Sequence, residues 1–138
     1  MHKPFPSPRP TLRTLGIIPV PGMVLMCDFD GYVAPEMIKN RHVIVISPKT
    51  INALGTMVVV PVSSIEPKPV AKYHVHFAAN SYACFTPGEQ HWAKCNMIAH
   101  VRYDRLDRVK ANGAWCTPSI SDAHLAEVRS AVRHAIGA

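Results

Sequence analysis

No apolar stretch in this 138-residue chain is long enough to cross a bilayer. The main runs, Val24–Cys27, Val43–Ile46 and Met57–Val60, are cut short by Asp28, Ser47 and Pro61. The opening M-H-K-P-F-P-S-P-R-P is basic but lacks an apolar core, so it does not read as a secretory signal. The four cysteines, Cys27, Cys84, Cys95 and Cys116, form no C-x-x-C pair. Without an export signal, reduced thiols fit better than a disulfide framework. A zinc set could be drawn from His91 and Cys95 with Cys84, His74 and His76, but buried thiols and dispersed histidines are the preferred reading. No metal and no cofactor are expected. Acidic residues are scarce: nine stand against fifteen lysines and arginines, for a net charge of +6. Such a balance suits a polyanion or an acidic protein as partner. Arg102, Arg105, Arg108 and Lys110 alternate with Asp104 and Asp107, which reads as a solvated, salt-bridged face.

What is present fits one domain with a real core. Residues 1–15, with Pro4, Pro6, Pro8 and Pro10, read as a flexible arm. Residues 16–138 read as a single domain. Strands are expected over Met23–Phe29, Val43–Ser47, Thr56–Val62, Tyr73–Phe77 and Trp92–Val101. Pro61 suggests an edge or strand end for the third. In Tyr73–Phe77 one face carries His74 and His76. Pro48–Gly55 reads as a loop, and Leu106–Val109 as a short helix or turn. Ser119 to Asp122 resembles a capping box with Ser119 at the N-cap. Leu125, Val128, Val132 and Ile136 then recur at helical spacing, with Arg129, Arg133 and His134 near the end and Gly137 to close it. Short strands over about 16–110 followed by one helix over about 119–136 predict a β-rich α+β fold, a small barrel or curved sheet with a helix packed on it.

Several motifs occur in a fixed order: G-x-V-x-x-x-D-F from Gly22, the loop Pro35-Glu36-Met37, Arg41 opening an apolar strand that ends Ile46-Ser47-Pro48, and V-V-P-V-S-S ending at Ser64. Then come W-A-K-C-N-M-I from Trp92 and D-R-L-D-R-V before the last helix. Together, over Gly22 to Ile136, they resemble the MazF, PemK and Kid toxins of bacterial type II toxin–antitoxin modules. The resemblance implies a small SH3-like barrel and a cytoplasmic homodimer. It implies sequence-specific, metal-independent cleavage of single-stranded RNA such as mRNA, and an acidic antitoxin whose tail covers the RNA groove. It matches Arg41 to the family's strand-opening catalytic arginine, Ser63 to its accompanying hydroxyl, and Glu36 to its loop glutamate. Lys94 falls where Kid-like members carry a catalytic arginine, and Asn96 where they carry an aspartate. His42 and Pro35 also stand where other residues are usual.

The chemistry can be read beside the resemblance. RNA is cut without metal when its own 2′-hydroxyl attacks the phosphate, leaving a 2′,3′-cyclic phosphate and a 5′-hydroxyl. That step needs a base, an acid and a cation for the phosphorane charge. Arg41 suits the cation role, since its planar fork fits phosphate oxygens; its bland alternative is a surface ion pair with Glu36. Ser63 suits a phosphate or nucleotide contact, or else a local backbone bond. Glu36 is a candidate base or a group that orients Arg41. Lys94, Asn96 and Lys39 are candidate RNA contacts. Ser64 and His42 should face away from Ser63 and Arg41. Trp92 can stack a base, but reads first as core. The rivals are a barrel of this type that binds a protein target, and a nucleic-acid-binding barrel without catalysis.

Overall fold

A computed structural model describes residues 15–138. The expected arm lies outside the described residues, except Leu15, which is fully buried.

The described residues form nine strands. They are β1 (Val24–Asp28), β2 (Asn40–Val45), β3 (Thr56–Ser63), β4 (His74–Phe77), β5 (His91–Lys94), β6 (Ala99–Arg102), β7 (Leu106–Asp107), β8 (Val109–Ala111) and β9 (Ala114–Cys116). A single turn of helix, α1 (Lys49–Asn52), stands where a loop was expected, and α2 (Asp122–Ile136) ends the chain. Seven strands make one antiparallel sheet in the order β4-β5-β3-β2-β1-β7, with β6 also on β3. This is the predicted β-rich α+β class with a C-terminal helix, although the strand path does not close on itself among the described residues.

Three expectations change for physical reasons. The expected strand Trp92–Val101 is two strands, because the chain turns after Lys94, with the Met97 amide donating to the Lys94 carbonyl at 3.0 Å. Both halves then pair with β3: β6 along Thr56–Val59 and β5 along Val62–Ser63. Pro61 therefore lies inside a central strand, in the gap between those two ladders, where a missing N–H removes no bond on that side. Leu106 is not helical; it is fully buried and pairs with Cys27 on β1.

The N-cap of α2 is Ser121, not Ser119. Its Oγ accepts from the His124 amide at 3.1 Å, and Gly137 closes the helix at φ 76°. The helix buries Leu125, Val128 and Ala131 against the sheet, while Ile136 is exposed. Sequence reading missed the β8–β9 hairpin. Its turn is Asn112-Gly113, at φ 51° and 79°. That dipeptide is a strong signal for a two-residue hairpin.

Strand alternation gives the sheet two different faces. One face, with Ile44, Val60, Val62, Val75, Phe77 and Ala93, packs on Leu125, Val128 and Ala131 of α2. The other face holds Leu25, Cys27, Val43, Val45, Met57 and Val59, covered by Leu15, Met37 and Leu106. Among the described residues no helix is long and apolar enough to cross a membrane.

Candidate functional site

Arg41 lies on β2, one step beyond the last β2–β3 pair, His42 with Val62. The antiparallel register makes Ser63 its next partner, so Arg41 and Ser63 share a face on neighbouring strands. The register continues outward: Ser63 pairs with Trp92 on β5, and Trp92 with His76 on β4. Arg41, Ser63, Trp92 and His76 thus form one cross-strand row, roughly 14 Å long at standard strand spacing. In the adjacent row of the same face Lys94 pairs with His74.

Each member is held in a definable way. The Arg41 Nε donates to the Ile38 carbonyl at 3.2 Å, which fixes the stem and leaves the terminal amines of the fork available. Ser63 is 5% exposed, and its Oγ accepts from the Ile65 amide at 3.1 Å. Its hydroxyl hydrogen remains able to donate. Trp92 is buried at 5% exposure, with the His76 ring at 5.3 Å between centroids. His76 in turn meets the Gln90 side-chain oxygen at 2.5 Å. Burial, then the neighbouring Lys94 ammonium, holds His74 below the usual imidazole range.

Glu36 and Asn96 come together elsewhere. They face a cavity of about 470 Å³ between the β1–β2 loop and the β5–β6 turn, with Tyr32, Met37 and His100 among its other walls. Glu36 Oε1 accepts from the Val33 amide at 3.0 Å, so it closes its own loop. Among the described residues no ion pair joins it to Arg41. Lys39 is exposed at the end of that loop in the left-handed region, φ 67°, and its carbonyl accepts from the Phe29 amide at 3.0 Å.

His42 points to the opposite face, as strand alternation requires, and meets Phe85 edge-on at 5.5 Å. Burial lowers its pKa. The conceivable zinc ligands divide between the two faces. His74 and His76 lie with Lys94, whereas Cys84 and Cys95 lie in the core beneath α2, and His91 stacks on Phe85 there. Burial pushes the Cys84 thiol up to about 11 and the Cys95 thiol up to about 12. Of the arginine-rich stretch, Arg102 pairs with Asp104 at 3.5 Å. Arg105 instead donates to the carbonyls of Asp28 and Asp30, at 2.9 and 2.7 Å, and lies over the Tyr32 ring. It anchors the loop that carries Glu36.

His74 and His76 were legible as one strand face but not as neighbours of Arg41, because their connection runs through β5 and no local pattern reports it.

Comparison with known proteins gives consistent matches. A family described as PemK-like, MazF-like toxin of type II toxin–antitoxin system matches residues 21–136. The Escherichia coli (strain K12) protein YifN is 32% identical over 114 residues, 80% of this chain and 75% of its own. Among solved structures, MazF from Deinococcus radiodurans superposes with a TM-score of 0.67 at 20% identity, over 88% of this chain and 99% of that one. A mycobacterial endoribonuclease in complex with its cognate antitoxin gives 0.63 at 17% identity, over 86% and 95%. A MazE–MazF complex from Deinococcus radiodurans gives 0.63 at 18% identity, over 88% and 98%. At these identities the structural matches establish the shared fold.

Proposed function

Since this chain belongs to the PemK-like, MazF-like toxins of type II toxin–antitoxin systems, we propose that it is a metal-independent endoribonuclease acting on single-stranded RNA. The observation that carries the proposal is the placing of Arg41 and Ser63 at successive strand ends on one face, with Lys94 on the same face. The 2′-hydroxyl of the substrate attacks its own phosphate, giving a 2′,3′-cyclic phosphate and a 5′-hydroxyl. Arg41 neutralises the oxygens that gain charge in the transition state, where a preorganised donor is most effective. Ser63 donates to a phosphate oxygen while Ile65 holds it in place. Lys94 contacts phosphate and positions the strand without reading bases.

Glu36 and Asn96 supply polar groups to the neighbouring cavity, with Tyr32 and His100. Glu36 is the carboxylate proposed to take the 2′-hydroxyl proton, and Asn96 to hydrogen-bond the nucleotide. Lys39 adds charge at the loop end. The partner is an acidic antitoxin that covers this basic face, and the working form is a cytoplasmic homodimer. Solved relatives include complexes of MazE with MazF. Light scattering at micromolar concentration reads the dimer directly; a monomer there sinks that part.

The test of the activity is incubation of pure protein with a long RNA in EDTA. Discrete cuts ending in cyclic phosphate are expected. One observation favours a second reading, a barrel that binds RNA or a protein target without cutting: Ser63 already accepts a local backbone bond. Intact RNA after prolonged incubation selects that reading.

A further inference from the structure

The opposite face of the sheet carries a separate cavity of about 470 Å³. It lies between Met26 on β1, His42 on β2, the Cys84–Phe85 segment and the β8–β9 hairpin. That volume falls within the ordinary range for small-molecule sites. Its walls are flat rings. Phe85 meets His42 edge-on and stacks at 4.9 Å on His91, which is 3% exposed, so the wall is held from behind. Across the opening stands Trp115 on β9, 62% exposed. Lys110 is its cross-strand partner, with the ammonium 5.6 Å from the ring centroid. The exposed Trp115 ring and the Phe85 and His42 rings thus line one opening, and an aromatic ring open to solvent offers a face on which a base can stack.

The chemistry of the lining narrows the ligand. Among the described residues no acidic side chain lines the cavity, and Lys110 is the formal cation that does. Burial lowers the His42 pKa against a hydrogen bond to the Cys84 backbone, so the neutral ring has one nitrogen left for a polar edge. Flat walls, one cation and a neutral imidazole match a planar base joined to a phosphate. An acidic peptide would find a single cation here and no use for the rings.

We propose that this cavity receives one nucleotide of an RNA strand, with its base against Trp115 and its phosphate on Lys110. The choice of occupant rests on the RNA reading above. Arg41 and His42 are successive residues on β2 with side chains on opposite faces, so an RNA strand that serves both sites passes around the end where β2 begins. Base stacking on an aromatic ring is tolerant of sequence. The cavity therefore adds affinity without selecting sequence.

The experiment uses the full chain and a single-stranded 2′-O-methyl oligoribonucleotide carrying 5-bromouridine, which 2′-hydroxyl chemistry cannot cut. Irradiation followed by peptide mapping is expected to place a cross-link on Trp115 or Phe85. Trp115→Ala, at an exposed position, should weaken binding roughly tenfold, the scale of one stacked base, and Lys110→Ala, also exposed, should weaken it and lower the salt slope by about one phosphate contact. Trp115→Phe should restore most of the affinity, which separates stacking from a fold defect. Arg41→Ala should keep the cross-link while losing cleavage of ordinary RNA. RNA that the protein cuts but never cross-links at Trp115 or Phe85 overturns the cavity and leaves the cleavage reading standing. Unchanged affinity in both alanine variants also overturns it. A cross-link at Trp115 in a protein that cuts no RNA supports the cavity and removes the cleavage reading instead.

Discussion

Lys94 and His74 face each other across the β4–β5 ladder, on the side of the sheet that carries Arg41. One is a fixed cation and the other a titrating one. Burial and the Lys94 charge keep His74 neutral near pH 7. Its proton arrives only below the ordinary imidazole range, and it then adds positive charge to the face proposed to meet RNA. RNA affinity should be flat from pH 7 to 8 and rise only as the pH falls below 6.5, the ordinary imidazole value from which His74 is lowered. His74→Gln should reduce the rise. A profile identical in the two proteins removes His74 from the interface.

Lys94→Ala should weaken RNA binding about equally for all sequences. It should also reduce the slope of log affinity against log salt by about one phosphate contact. Filter binding across a salt series measures both. A change in cleavage sequence with an unchanged slope would show that Lys94 reads a base instead.

Arg41→Ala should lower the cleavage rate by roughly 10² or more, the usual scale for removing a donor aimed at developing charge. Folding should be nearly unaffected, since Arg41 stands at a strand end and is only half-buried. Arg41→Lys should rescue poorly, because an ammonium cannot make the two-pronged phosphate contact. Cleavage by the alanine variant at the parent rate would end the catalytic assignment.

Stability should fall in acid for a stated reason. Burial lowers the pKa values of His42 and His91, so the unfolded chain binds more protons than the folded one as the pH drops below about 6.5. Their contribution is complete above that pH and is lost on the way down. Thermal unfolding between pH 8 and 5 should show the decline, and His42→Gln should flatten it. A variant as acid-sensitive as the parent would place the titrating group elsewhere.

The N-terminus of α2 is fastened by two groups. Ser121 caps it, and the Tyr82 hydroxyl accepts from the Ser121 amide at 2.9 Å while meeting His124 Nδ1 at 2.6 Å. Ser121→Ala should cost about 1 kcal/mol, the typical value of an N-cap. Ser119→Ala should cost much less. Urea unfolding of the two variants distinguishes them, and equal losses would contradict the cap.

The fold was legible where period and punctuation agree: β1, β2, β4 and α2 each follow from alternation or helical spacing. It was less legible where long-range pairing decides. Nothing local in Trp92–Val101 says that its two halves return to one strand, and nothing local in Leu106 says that it joins Cys27. The site divides likewise. Arg41, Ser63 and Lys94 were picked out from ordered motifs, and strand alternation placed His42 on the face opposite Arg41. The place of His76 beside Trp92 needed the β4–β5 register. The Asn112-Gly113 turn was readable and was missed, and with it the hairpin that carries Trp115.

Pro61 has a consequence beyond its own backbone. β3 serves β6 with its first half and β5 with its second, and the residue that cannot donate falls between them. Sliding the strand by a residue or two toward either partner would bring the proline into a ladder and forfeit a hydrogen bond. A slip of one residue would also exchange Ser63 for a neighbour that faces the other way. Pro61 thus acts as a stop against misalignment, and it keeps the hydroxyl of Ser63 in line with Arg41 from outside the site itself.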